Sequence, residues 1–147
     1  MNLRPALFFL GFGLPLFFSC KNPATQNPLT SHLADTEGLI GNAEYLSSPY
    51  VTAGDRVYMV GHQDGTFPDL GWHVKGEMGG IWNHPVKLMD GFTAAIIEKD
   101  NSYCLDAAHQ FVNYPFANKQ LFQTHIPGLE VDRFQFVPDG VQGMVIE

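Results

Sequence analysis

The C-terminal stretch reads Val131-Asp132-Arg133-Phe134-Gln135-Phe136-Val137, then Pro138-Asp139-Gly140, then Val141-Gln142-Gly143-Met144-Val145-Ile146. Apolar and polar side chains alternate over the first of these segments, the period of a strand buried on one face. Pro138 fixes one backbone dihedral and Gly140 accepts a positive one, so the middle segment has the chemistry of a turn. The last segment then returns as a second strand. A β-hairpin is therefore expected here, and with it an antiparallel sheet.

Working outward, the same texture recurs. Arg56-Val57-Tyr58-Met59-Val60 is a β-rich run bounded by Gly54-Asp55 and Gly61. Residues 92–98 (FTAAIIE) form a second run, which the turn-like Lys99-Asp100-Asn101-Ser102 joins to Tyr103-Cys104-Leu105. A further candidate strand, QLFQTHI at 120–126, follows the loop around Pro115. Helical periodicity is not sustained anywhere. The best helix formers, at 106–112, run straight into Asn113-Tyr114-Pro115. Short strands separated by Gly and Pro predict an all-β fold, an antiparallel β-sandwich over residues 49–147. The chain stops at Ile146-Glu147 without a polar tail, as an incomplete sandwich would.

Composition narrows the function. A chain of 147 residues is one domain's worth, and 45% hydrophobic with 16% charged side chains is enough apolar material for a core. Disorder is excluded on the same grounds. Eight basic against 15 acidic side chains give a net charge of -7. Phosphate neutralisation needs a basic patch, so nucleic acid is not expected as a partner. Two cysteines cannot make a disulfide scaffold.

The N-terminus has a separate purpose. After Arg4, residues 6–18 (ALFFLGFGLPLFF) carry no charge, but a membrane-spanning helix needs about 20 such residues. The run suits a signal-peptide core. Ser19-Cys20 closes it, and polar sequence starts at Lys21. Residues 1–20 resemble a bacterial lipoprotein signal, which implies lipidation of Cys20 and a lipid anchor to the membrane. The protein would then lie in the cell envelope, periplasmic or on the outer surface. The alternatives are a plain secretory signal cleaved near Ser19, or an uncleaved anchor. Residues 21–48, with Pro23 and Pro28 and several Asn, Ser and Thr, read as a tether. Cys104, in the apolar context Ser-Tyr-Cys-Leu, is expected as a buried, inert thiol.

The most unusual chemistry falls at 61–91, GHQDGTFPDLGWHVKGEMGGIWNHPVKLMDG, with seven of the 15 glycines, both tryptophans and three of the six histidines. So long a loop is functional or disordered, and its aromatic content argues for an ordered binding or packing loop. Three readings compete. Trp72 and Trp82 could offer flat faces to sugar rings, with His73, His84, Asp64, Asp69 and Glu77 bonding hydroxyls. His62, His73 and His84 could instead hold a metal, although their even spacing of 11 matches no compact ligand motif. Or these side chains simply pack beneath the loop. Glycoside hydrolysis needs two carboxylates at a set separation, for which Asp64, Asp69, Glu77 and Asp90 qualify by type alone. No nucleophile elbow, phosphate loop or dinucleotide fingerprint is present, so no cofactor is expected.

Three stretches of this region carry a family likeness: Tyr58-Met59-Val60-Gly61-His62-Gln63-Asp64-Gly65, Phe67-Pro68-Asp69-Leu70-Gly71-Trp72-His73, and Gly79-Gly80-Ile81-Trp82-Asn83-His84-Pro85-Val86-Lys87-Leu88. They resemble the region after the lipoprotein signal in large Bacteroidetes-type secreted proteins, the glycogen-debranching-like or six-hairpin glycosidases. The likeness extends over residues 50–147. It implies an N-terminal β-sandwich that packs on an (α/α)6 toroid, with the catalytic carboxylates mainly in the toroid. No catalytic residue carries over to this chain. The implied function is an accessory sandwich of a cell-envelope carbohydrate-active protein. Its partners would be an oligosaccharide or the missing (α/α)6 catalytic domain. The alternative is a free-standing envelope lipoprotein that binds a metal or small ligand through 61–91.

Overall fold

The computed structural model describes residues 33, 35–67, 69–71 and 74–147. The apolar run at 6–18, Cys20, residues 21–32 of the expected tether, Trp72 and His73 lie outside the described residues.

The unit Asp35–Glu147 is all-β, built from antiparallel sheets packed as a sandwich. The first sheet contains β1 (Leu39–Ile40), β8 (Gln110–Asn113), β9 (Ala117–Gln123), β10 (Glu130–Phe136) and β11 (Val145–Ile146), side by side in that order. The second is a meander of β2 (Pro49–Ala53), β3 (Tyr58–His62), β4 (Gly80–Asn83) and β5 (Val86–Met89). Between the two meanders, β6 (Ala95–Glu98) and β7 (Asn101–Cys104) form a separate two-stranded hairpin. Lys99, at its turn, adopts a φ of 54°. Apart from the long connection between β3 and β4, short connections join most consecutive strands within each sheet, so local pairing organises most of both sheets.

The expected C-terminal hairpin forms, with Gln135 opposite Ile146 and Phe136 opposite Val145. Its return strand is shorter than the alternation predicts, because only Val145–Ile146 pair and the residues before them form the connection. β10 gains most of its partners on the other side, in seven successive pairs with β9 from Glu130↔Gln123 to Phe136↔Ala117. Sheet structure also begins earlier than the expected boundary at residue 49. Within the stretch read as tether, Leu39 pairs with Asn113 and Ile40 with Val112, and a 3-10 turn (Ala43–Tyr45) follows, its N-terminus capped by Asn42. That edge depends on a partner far along the chain, which local composition does not register. Residues 61–91 likewise divide into the end of β3, a long connection at 63–79, and the β4–β5 hairpin.

The sandwich interior has an apolar part formed by Tyr50, Val57, Met59, Ile81, Phe111 and Val137, with Leu46, Phe67, Phe92 and Met144 packed against it. Val57 and Met59 are completely buried. Fully burying a side chain of this size contributes about 1.5–3 kcal/mol. Beside it lies a polar part, because Asn118, Gln120, Arg133 and Gln135 are buried as well. Cys104 is exposed, contrary to the expected buried thiol, since it ends a separate two-stranded hairpin most of whose residues are exposed.

Candidate ligand groove and the polar core beneath it

Three connections converge at one end of the unit. Residues 65–67 follow β3, residues 90–93 join β5 to β6, and residues 104–106 leave β7. Between them lies an open groove of about 640 Å3, lined by Thr66, Phe67, Asp90, Phe92, Thr93, Cys104 and Asp106 among others. The Phe67 and Phe92 rings stand 5.0 Å apart with planes inclined by 55°, forming one apolar wall. Polar groups face the same space. Asp90 is ion-paired to Lys87 at 2.7 Å, while Asp106 and Thr93 are exposed.

The groove loop after β3 has its own internal order. Asp64 Oδ1 accepts hydrogen bonds from the Thr66 amide (2.9 Å) and the Thr66 hydroxyl (2.7 Å), closing an Asx-type turn. Gly65 sits inside that turn at φ 96°, and a Cβ there would lie 2.7 Å from Arg133 Nη2. Only glycine satisfies both the dihedral and the close approach.

Arg133 explains that approach. It is 4% exposed, and its guanidinium lies between the rings of Phe92 (5.2 Å) and Phe122 (5.0 Å). Nε and Nη2 donate to Gln120 Oε1 at 2.9 and 2.6 Å, and Nη2 also donates to the Gly65 carbonyl at 3.1 Å. Gln120 in turn donates to the His62 carbonyl, at 3.2 Å. Gln135 donates to Gln120 Oε1 at 3.0 Å and accepts from the Tyr50 hydroxyl at 2.6 Å. Next to them, Asn118 Nδ2 donates to the Thr52 hydroxyl. Arg133 Nη1 and Asn118 Oδ1 are buried without a hydrogen-bond partner. Among the described residues no carboxylate makes a salt bridge with Arg133. Burial therefore lowers the guanidinium pKa, an effect that Tyr50 partly opposes. Burial raises the Tyr50 phenol well above its ordinary value, against smaller opposite effects from Arg133, Gln120 and Gln135.

The residues singled out from sequence are dispersed. Trp82 lies on the face of the second sheet that also carries Tyr58 and Lys87, on the strands either side of it. Its ring is parallel to that of Tyr58 (4° between planes, 6.2 Å between centres), and Lys87 Nζ sits 5.4 Å from its centre. The indole N–H donates to the Gly79 carbonyl at 3.2 Å, so the polar edge of the ring is engaged within the fold. His84 is exposed in the β4–β5 turn, and Glu77 is exposed in the long connection. Asp69 forms an exposed ion pair with Lys75 at 2.6 Å, which raises the Lys75 pKa. His62 is half-buried at the end of β3, and desolvation lowers its pKa despite the nearby Asp64. Among the described residues no three His, Cys, Asp or Glu side chains come together as a metal site.

Of the sequence candidates among the described residues, Asp90 lines the groove and Asp64 shapes the turn beneath it. Phe67, Phe92, Thr93, Cys104 and Asp106 come from segments that sequence spacing alone does not bring together. Comparison with protein families, curated proteins and solved structures yields no match.

Proposed function

We propose that this protein is an accessory β-sandwich of a cell-envelope carbohydrate-active protein, acting beside a separate catalytic (α/α)6 unit. In this reading the sandwich holds an oligosaccharide in the groove at Phe67, Phe92 and Asp106, and carries no catalytic residue of its own. The observation that supports it is the groove itself, with an aromatic pair on one wall and Asp90, Thr93 and Asp106 facing the same space. Sugars present apolar C–H faces and hydroxyls together, and such a site needs both kinds of partner. The groove's size also lies in the range of small-ligand sites, about 300–1,000 Å3. Attachment to the envelope would come from lipidation of Cys20. Radiolabelled palmitate incorporation that survives Cys20→Ala would end that part of the reading.

A glycan array of neutral and acidic oligosaccharides tests the sugar site, followed by titration of the best binder. Asp106→Asn and Phe92→Leu should each weaken binding about tenfold, the loss of one hydrogen bond to a charged group or one stacking face. Bound sugar should also protect Cys104 from iodoacetamide, because the thiol lines the groove. An empty array, or a binder indifferent to both substitutions, overturns the sugar reading.

A further inference from the structure

We propose that Arg133 is the positioning residue of the groove, a buried cation that holds its two principal loops at a fixed separation. This rests on the groove being the functional site, but not on the identity of what occupies it. The two loops that meet at Phe67 and Phe92 belong to different parts of the chain, and Arg133 contacts both. Its Nη2 donates to the Gly65 carbonyl on the loop after β3, and its Cζ lies over the Phe92 ring of the β5–β6 connection, 5.2 Å from the ring centre. Gln120 accepts from Nε and from the same Nη2, and fixes the start of the first loop by donating to the His62 carbonyl. The missing side chain at Gly65 leaves room for this arrangement.

The residue type matters. A planar guanidinium can bond through its edge and stack through its faces at once, whereas an ammonium is a single point of charge. Burying a cation without a carboxylate partner is costly, and hydrophobic replacement at such positions is often tolerated or stabilising. A side chain needed only for packing could therefore be an apolar one. Arg133 instead directs Nε and Nη2 to Gln120 and the groove loop. Lysine would lose the simultaneous contact with Gly65, Gln120 and the Phe92 ring, and the groove walls would become independent of each other.

The test uses the full chain and two groove readouts that need no sugar. The first is the rate of Cys104 alkylation by iodoacetamide under native conditions, measured alongside thermal unfolding for Arg133→Lys and Arg133→Met. Both variants should alkylate at least about threefold faster than wild type while still unfolding cooperatively, as expected when local opening increases without global loss. Phe92→Leu, which keeps Arg133 but removes the ring above it, should behave in the same way. Unchanged alkylation in folded variants overturns the proposal and leaves Arg133 a structural residue. The second readout needs no variant. In ¹⁵N-edited spectra of the cooled wild-type protein, the Arg133 side-chain protons should be individually resolved and shifted upfield by the flanking rings. One averaged signal at the free-arginine position also overturns it. If the array finds no sugar while these readouts behave as expected, the positioning role stands and the sugar reading falls.

Discussion

The Tyr50 hydroxyl donates a 2.6 Å hydrogen bond to Gln135 Oε1 across the interior of the sandwich, joining β2 of one sheet to β10 of the other. Gln135 is completely buried, so nothing but the protein can satisfy that oxygen. Tyr50→Phe keeps the ring and its packing on Phe111, 5.1 Å away, but leaves the amide oxygen without its donor. A loss of about 1–3 kcal/mol is expected, the cost of an unsatisfied buried acceptor. Urea denaturation with an unchanged m-value measures it. A neutral substitution would mean that water enters between the sheets.

Gly65 and Gly140 both adopt positive φ, 96° and 75°, but their surroundings differ. Nothing lies within 4 Å of a Cβ at Gly140, so Gly140→Ala should cost only the dihedral, about 1–2 kcal/mol. At Gly65 the methyl would also strike Arg133 Nη2 at 2.7 Å and the Phe122 ring at 2.9 Å. Overpacking adds about 1–3 kcal/mol, so Gly65→Ala should destabilise clearly more. Equal midpoints in a parallel denaturation experiment would contradict the close approach.

Trp82→Ala should lower stability by about 2 kcal/mol, less than the 3–5 kcal/mol of a fully buried tryptophan, since the ring is only partly covered. It removes the stack on Tyr58 and the contact with Lys87. Because Trp82 does not line the groove, affinity for the array-selected oligosaccharide should remain within about twofold of wild type. A selective loss of sugar affinity with intact stability would return the binding site to Trp82.

His62 supplies a pH dependence. Its folded pKa lies below the unfolded value because burial disfavours the charged imidazole. The unfolded chain then binds the proton more readily, so stability falls as pH drops below the unfolded pKa of about 6.5. His62→Gln should flatten the stability profile between about pH 7 and 5, with little change above pH 7.5. Denaturation midpoints across that range decide it, and an unchanged acid slope would exclude His62 as a cause.

Much of the architecture was visible in local patterns, because short antiparallel strands depend on neighbours in sequence. The run at 92–98 and its partner at Tyr103 form β6 and β7, and the runs at 56–60 and 120–126 mark β3 and β9. The candidate site was less visible. Tryptophan, histidine and glycine density drew attention to 61–91, yet the described part of that segment spreads its side chains between a sheet face, a turn and a solvent-exposed loop. The two ends of that segment, Gly65 to Phe67 and Asp90 to Gly91, do line the groove, but they meet Phe92 and Asp106 only because the β5–β6 connection and the hairpin after it return to the loop after β3.

The stretch at 131–137 marks the division. Its own alternation determined that it is a strand, and the Pro-Asp-Gly turn determined that the chain reverses after it, because dihedral preference and side-chain period are local properties. A period of two cannot say which face turns inward. Burial ordinarily favours the apolar face, but here Arg133 and Gln135 point between the sheets and hydrogen-bond there to Gln120, Tyr50 and the Gly65 carbonyl, with only Arg133 Nη1 left unpaired. Those partners come from β2, β9 and the loop after β3. Gln120 already faces Arg133 across the β9–β10 pairing, but only the packing of the two sheets brings Tyr50 and the Gly65 carbonyl close enough to help offset the cost of burying a guanidinium and an amide.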